Sequence, residues 1–134
     1  MTLRYTDVAK TPTLDERAVF LDRLRVVEAR SLLTIGAGPD SSFFAQAGLD
    51  VTAVDDATAL PRGPFDAAFA VDVSGDEAWP AIRSVLQPGG LLFVSASTDL
   101  VGPLARIFEV IDFHTVEGGG RRFRSATLVR PLDG

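Results

Sequence analysis

Residues 31 to 56, SLLTIGAGPDSSFFAQAGLDVTAVDD, constrain the fold of this chain more than any other stretch. An apolar run at 32–35 predicts a buried strand, and the turn Gly36-Ala37-Gly38-Pro39 must end it. A second apolar run at 51–54 predicts another strand, which ends in Asp55-Asp56. A helical segment lies between them, so the stretch predicts a βαβ unit with two parallel strands.

The helix of this unit has recognisable ends in the sequence. Ser41 and Ser42 are predicted to cap its N-terminus, because a serine hydroxyl can accept a hydrogen bond from the first free backbone N–H groups. Phe43 and Phe44 give it an apolar side, and Gly48 is placed to end it.

The turn and the second strand tip together indicate a nucleotide-like ligand. Glycines at the first βα turn let a ligand approach the backbone closely, and an acid at the next strand tip can hydrogen-bond ribose hydroxyls. Nineteen residues separate Gly36 from Asp55, close to the roughly 20 found in nucleotide-binding units. A glycine turn that only reverses the chain remains the alternative.

The rest of the chain continues the α/β pattern within one domain, residues 1–134. Residues 1–12 are weakly patterned and are interpreted as an N-terminal arm. The predicted elements, in order, are a helix at 14–27 opened by a Thr13–Glu16 capping box, a loop at 56–64, a strand at 65–73, a helix opened by Asp76 and Glu77 and broken at 87–90, a strand at 91–97, a helix at 102–111, and a hairpin of strands 114–117 and 121–129.

This order predicts a Rossmann-like three-layer α/β/α sandwich. The sheet should be mostly parallel, with antiparallel pairing confined to the C-terminal hairpin. Trp79 and Phe65 are expected to fill the core rather than to stack on a ligand.

Composition excludes several function classes. The net charge of −5, from 18 acidic and 13 basic residues, offers no general attraction to nucleic acid or to an anionic membrane. The absence of cysteine excludes disulfides and thiolate chemistry, and we assign no metal ligand. No apolar run is long enough to span a membrane, and the N-terminus lacks a signal-peptide core, so we expect a cytoplasmic protein without a membrane partner.

The segments LLTIGAGPD, VTAVDD, FDAAFAVDV and VLQPGGLLFVSA, followed by a hairpin, resemble the class I S-adenosylmethionine-dependent methyltransferases over about residues 14–131. The resemblance implies that Gly36, Ala37 and Gly38 lie against the methionine and ribose parts of S-adenosylmethionine. It implies that Asp55 holds the ribose hydroxyls. Asp72, after the third matching strand, would face the methyl group and is the catalytic candidate, as acceptor of a proton from the nucleophile.

The chain departs from the family pattern at three places. The family usually has an acid where Thr34 stands and a small residue where Asp40 stands. It also has a helix, a strand and a second helix where this chain has only residues 56–64, and its adenine-contacting acid follows that strand. Asp56 is the candidate to replace this acid.

Three functions therefore stay open. The first is a methyltransferase that acts on an unidentified small molecule. The second is a catalytically inactive methyltransferase-like module for binding or assembly. The third is an NAD- or FAD-binding domain, although its fingerprint prefers glycine or alanine where Ser41 stands.

The short connection at residues 56–64 also predicts which strand lies at the edge of the sheet. With one strand missing, the strand at 50–54 should lie at the margin of the sheet, where an unpaired backbone invites association. Cover for that edge and the adjoining face could come from the arm at 1–12, from the helix at 14–27 or from a second copy, and we expect a homodimer.

Overall fold

The computed structural model describes residues 16–58, 60–73, 77–96, 101–118 and 122–131. Four helices occur in these residues: α1 (Glu16–Val26), α2 (Asp40–Gln46), α3 (Ala78–Val85) and α4 (Val101–Ala105). Six strands alternate with them: β1 (Ser31–Ile35), β2 (Asp50–Val54), β3 (Phe65–Val71), β4 (Leu86–Ala96), β5 (Phe108–Gly118) and β6 (Arg122–Pro131). The predicted arm at 1–12 and the residue Thr13 of the capping box lie outside the described residues.

The six strands form one sheet in the order β2-β1-β3-β4-β6-β5. The first four are mutually parallel, with Leu33 opposite Thr52 on one side and opposite Ala68 on the other. β6 pairs antiparallel with both β4 and β5, and residues 119–121, which join β5 to β6, lie outside the described part. The predicted mostly parallel α/β architecture is confirmed, and in the described part of the chain β2 lies at an edge of the sheet.

One face of the sheet is covered by α1 and α2 through an aromatic cluster. Phe20 of α1 packs across the strand residues Phe69 and Phe93, with ring centroids 5.7 and 5.1 Å away. Phe44 of α2 closes the cluster at 5.0 Å from Phe69. All four rings are buried. Phe20, Leu21 and Leu24 of α1 are buried, whereas Val27, the last residue of the helix predicted at 14–27, follows the end of α1 and is exposed.

The opposite face carries α3 and α4. Trp79 and Ile82 of α3 are buried against β1, β3 and β4, so Trp79 fills the core as predicted, and Phe65 does so as well. Ala57 and Leu60, from the short connection between β2 and β3, pack on the same cluster. The connection is too short for the helix, strand and second helix of the resembling family, but it still covers part of this face of the sheet.

The prediction of a helix at 102–111 is wrong in its second half. α4 ends at Ala105, and β5 begins at Phe108, which pairs with Pro131 of β6. The apolar residues at 107, 108, 110 and 111 fit a helical face and an alternating strand almost equally, and pairing with β6 decides for the strand. Both strands of the C-terminal pair are consequently longer than predicted.

The Gln87-Pro88-Gly89-Gly90 segment interrupts the pairing of β4 with β3. Leu86 is opposite Phe65, whereas Ala67 is opposite Leu91, so four residues of β4 fall against one of β3. Gly89 has φ +80, a conformation that glycine adopts at little cost. The predicted break after α3 is thus an irregularity within β4. No helix in the described residues is long and apolar enough to cross a membrane.

Candidate active site at the carboxyl ends of the parallel strands

The glycine turn lies where the order of the strands reverses. From β1 the chain passes to β2 on one side and then to β3 on the other, and ligands of open parallel sheets bind at such a switch point, beyond the carboxyl ends of the strands. Gly36 has φ +66, and its N–H donates to the Val54 carbonyl at 2.9 Å. A Cβ on Gly36 would lie 2.8 Å from the Val71 carbonyl oxygen and 3.5 Å from that of Asp55. The turn is therefore wedged between the ends of β2 and β3.

The next two residues of the turn have different surroundings. Ala37 is buried against the aromatic face of the sheet. Gly38 has φ +53, and a Cβ built there would have no neighbour within 4 Å. Gly38 is thus open to an approaching molecule, whereas Gly36 is enclosed by backbone.

The two acids at the tip of β2 are both exposed but differ in their partners. No hydrogen bond or ion pair within the described part of the chain engages the Asp55 carboxylate. The Asp56 carboxylate accepts hydrogen bonds from the Thr58 hydroxyl and, at 2.9 Å, from the Thr58 N–H. The Thr58 hydroxyl and then the Thr58 N–H hold the pKa of Asp56 below its usual range. Asp55 is available to a ligand, while one oxygen of Asp56 stabilises a local turn.

Asp72 lies directly after β3, beside the glycine turn. Its φ is +52, uncommon for a residue with a side chain, and its N–H donates to the Ser95 carbonyl at 2.8 Å. This bond to β4 fixes the backbone, and the side chain is exposed. The structure thus brings Gly36, Gly38, Asp55 and Asp72 together at the carboxyl ends of the parallel strands.

Thr34 serves the fold at the position where the resemblance expects an acid. It is fully buried, and its hydroxyl is 2.6 Å from that of Ser41 in α2. Ser41 is therefore not the helix cap that the sequence predicted, and neither is Ser42: α2 begins at Asp40 after Pro39, without a side-chain cap. Carbonyl groups of the turn accept the first N–H groups of the helix instead, so a serine cap is not needed.

Asp40 likewise contacts a neighbouring helix. Its carboxylate is 3.1 Å from the Arg17 guanidinium of α1, which also lies over the Phe43 ring at 4.7 Å from the centroid. The ion pair is partly exposed, so its contribution to stability is modest. It nevertheless positions the start of α1 against the start of α2, next to the glycine turn.

Asp66 is a structurally important acid that the sequence analysis did not single out. Its carboxylate accepts hydrogen bonds from the N–H groups of Arg30, at 2.8 Å, and Ser31, at 3.0 Å. Its own N–H donates to the Ser31 hydroxyl at 2.9 Å. The N–H groups of Arg30 and then Ser31 lower the pKa of Asp66. The signal was present in the FD pair that opens the β3 segment.

A cleft at the opposite, amino ends of the strands does not provide a nucleotide site. It has a volume of about 70 Å³ and is lined by Val27, Glu28, Ala29, Asp66, Gln87 and Gly89. This volume is well below the roughly 300–1,000 Å³ of typical small-molecule pockets. Within the described residues no group of acids or histidines could hold a metal ion. The one histidine of the sequence is His114, and its local basic cluster consists of Arg121, Arg122 and Arg124. Arg121 and the side chains of the other three lie outside the described part.

No protein-family model and no curated protein matches the chain, but solved structures do. The 1,6-didemethyltoxoflavin-N1-methyltransferase of Burkholderia thailandensis, with bound 1,6-didemethyltoxoflavin and S-adenosylhomocysteine, superposes with a TM-score of 0.70 at 17% identity, covering 96% of this chain and 82% of that one. The N-methyltransferase NodS of Bradyrhizobium japonicum WM9, in complex with S-adenosylhomocysteine, gives 0.64 at 13% identity over 96% and 98%.

The structure of the [4+2]-cyclase SpnF is also similar, with a TM-score of 0.61 at 18% identity over 79% of this chain and 76% of that one. At such low identities these likenesses show the fold alone. The chain has the fold of S-adenosylmethionine-dependent methyltransferases.

Proposed function

We propose that this protein binds S-adenosylmethionine at the glycine turn and transfers its methyl group to a small molecule. The observation that carries the proposal is the exposed Asp55 carboxylate at the tip of β2, beside a positive-φ glycine turn at the switch point of the sheet. Ribose hydroxyls are donors that a carboxylate in this position accepts. The similarity to NodS and to the Burkholderia enzyme, both crystallised with S-adenosylhomocysteine, supports the choice of ligand.

The residues present fit the methionine and ribose parts of the ligand. Gly38 leaves open space where any side chain would project, so the backbone of the turn can approach the ligand closely. Gly36 and Ala37 complete the turn, and Asp55 supplies the acceptor. When bound, S-adenosylmethionine supplies an already activated methyl group on its sulfonium, so the protein has mainly to orient the reactants.

Asp72 is the proposed proton acceptor. Its backbone is held by the bond to the Ser95 carbonyl, and its exposed side chain lies at the same edge of the sheet as Gly36. A carboxylate there can accept a proton from a hydroxyl or amine nucleophile as that nucleophile is methylated. Because alignment contributes more than proton transfer in this chemistry, Asp72 is an accessory group.

The second candidate function is a binding or assembly module without catalysis. It is favoured by Thr34 and Asp40, which bind α2 and α1 and so strengthen the scaffold at positions where the family has other residues. The NAD or FAD alternative has weaker support, because Ser41, whose hydroxyl contacts Thr34, stands where its fingerprint prefers glycine or alanine. Methyl transfer to none of a panel of amines, hydroxyls and thiols, together with retained ligand binding, would decide for the second candidate.

Calorimetric titration with S-adenosylmethionine, S-adenosylhomocysteine, NAD and FAD tests the proposal. We expect heats for the first two ligands only. Asp55→Ala should weaken their binding about tenfold or more, because it removes hydrogen bonds from ribose to a charged acceptor. Asp50→Ala is the matched control, since it removes an exposed acid from the other end of the same strand. Equal affinities in the two variants would show that the ligand does not contact the tip of β2.

A further inference from the structure

The outer edge of β2 carries a self-complementary set of backbone groups. The Asp50 N–H donates to the Arg30 carbonyl at 2.8 Å, and the Val54 carbonyl accepts from Gly36 at 2.9 Å. Backbone groups of a strand alternate in direction, so residues 50, 52 and 54 face β1. The N–H and C=O groups of Val51 and Ala53 therefore point outward, and no described strand pairs with them.

The composition of β2 leaves this edge unprotected. Natural edge strands are usually blunted by lysine, proline, bulges or inward charges, whereas β2 reads DVTAV and pairs with β1 without a register shift. The edge at β5 differs, because its register with β6 shifts between Val110 and Asp112 and three acids, Glu109, Asp112 and Glu117, are distributed along it. Of the two edges in the described sheet, β2 is the better template for pairing.

We propose that two copies of this protein pair antiparallel through β2, with a two-fold axis at Thr52. In this register Val51 of each copy exchanges both backbone hydrogen bonds with Ala53 of the other, giving four bonds in all. Asp50 lies opposite Val54 of the second copy. A two-fold axis at Ala53 would instead set Asp50 opposite Asp56, which like-charge repulsion disfavours, and an axis at Val51 would bring the two Asp50 residues onto one diagonal.

The pairing also extends the proposed site. With β2 at the edge, Asp55 has no neighbouring strand on its outer side in the described sheet. In the Thr52 register, Leu49 of the second copy comes alongside Asp55 and supplies a wall there. This second part rests on the proposed function, whereas the pairing itself rests on the backbone of β2 alone.

Sedimentation of the full chain from low to high micromolar concentration tests the pairing. We expect a shift from the 14.3 kDa monomer to twice that mass. Ala53→Pro should raise the dissociation constant about tenfold or more, because proline removes an outward N–H and cannot continue a ladder. Ala53→Thr retains the N–H and is the matched control. A monomer at every concentration, or a dimer that Ala53→Pro leaves intact, would overturn the proposal.

Amide hydrogen exchange of the unmodified protein keeps the test decisive if Ala53→Pro does not fold. The amides of Val51 and Ala53 should gain protection as concentration rises, while that of Thr52 stays protected throughout. Protection of all three in dilute monomer would mean that another segment of the same chain covers β2, and would refute the dimer. A dimer that binds no S-adenosylmethionine would leave the pairing intact and refute the proposed function. An affinity for S-adenosylmethionine that does not change with dimerisation would refute the contribution of Leu49 of the second copy to the site.

Discussion

At the scale of single residues, the two glycines of the turn have separate tasks. Gly36 belongs to the fold, because any Cβ there would come within 2.8 Å of the Val71 carbonyl oxygen, closer than van der Waals contact allows. Gly38 has open space where a side chain would project, and its place in the turn makes it the glycine that the proposed ligand would approach. The GAG motif alone could not reveal this division, since both glycines have positive φ and only the position of β3 distinguishes them.

Gly38→Val should therefore abolish S-adenosylmethionine binding while the protein still folds. The valine costs about 1–2 kcal/mol of stability through its left-handed backbone and projects into the space that the ligand needs. Gly48→Val is the control, because Gly48 also has positive φ and open surroundings but lies after α2, away from the turn. Thermal unfolding should show similar losses in both variants, and calorimetry should show lost binding only at position 38. A similar loss of affinity in both would trace the effect to strain.

At the scale of elements, the Asp66–Ser31 pair joins the start of β3 to the start of β1. Three hydrogen bonds connect these segments, two of them to the Asp66 carboxylate. The lowered pKa of Asp66 means that its stabilisation is fully present above the unfolded-state value of about 4 and is lost as pH falls through the folded-state value.

Asp66→Asn should accordingly lower the free energy of unfolding by about 1–2 kcal/mol at neutral pH, after allowance for partial exposure. The difference from the unmodified protein should shrink as the pH falls below about 4. Ser31→Ala is the matched comparison, since it keeps both backbone donors to the Asp66 carboxylate and removes only the Ser31 hydroxyl, which makes a smaller contribution to the lowered pKa. It should cost about 0.5–1.5 kcal/mol with a weaker dependence on pH. Urea unfolding at several pH values measures both. A constant difference for Asp66→Asn would show that its charge is not involved.

The sequence was most informative where local signals and packing agree. Strands β1 and β2 were predicted nearly to the residue, because apolar runs are bounded there by glycines and by the paired acids. The sequence was misleading over residues 106–111, where the choice between helix and strand depends on pairing with β6, some 20 residues later. The serine cap failed for a similar reason: the Ser41 hydroxyl fits a cap equally well, but Thr34, buried next to it, provides a partner.

At the scale of the whole molecule, the short connection between β2 and β3 borders the proposed ligand site. Its residues Ala57 and Leu60 are used to cover the sheet, and Asp56 binds Thr58 within a turn. Trp79 and Phe65 are buried in the core. Neither of these buried rings can therefore stack on adenine, and one oxygen of Asp56, the candidate adenine-side acid, is already engaged. We expect binding to depend mainly on the ribose and methionine parts.

Ligand analogues can test this uneven distribution of contacts. S-inosylhomocysteine, which changes the polar edge of the base, should bind within about threefold of S-adenosylhomocysteine, because Asp56, the candidate acid for that edge, is already engaged with Thr58. The 2′-deoxyribose analogue should bind about tenfold more weakly, because it loses a hydrogen bond to the Asp55 carboxylate. Asp55→Ala provides the internal control, since in that variant the deoxy analogue should bind as well as its parent. Strong discrimination against the inosine base would place an adenine contact outside the described residues or in the second copy, and calorimetry on the monomeric Ala53→Pro variant would separate these two sources.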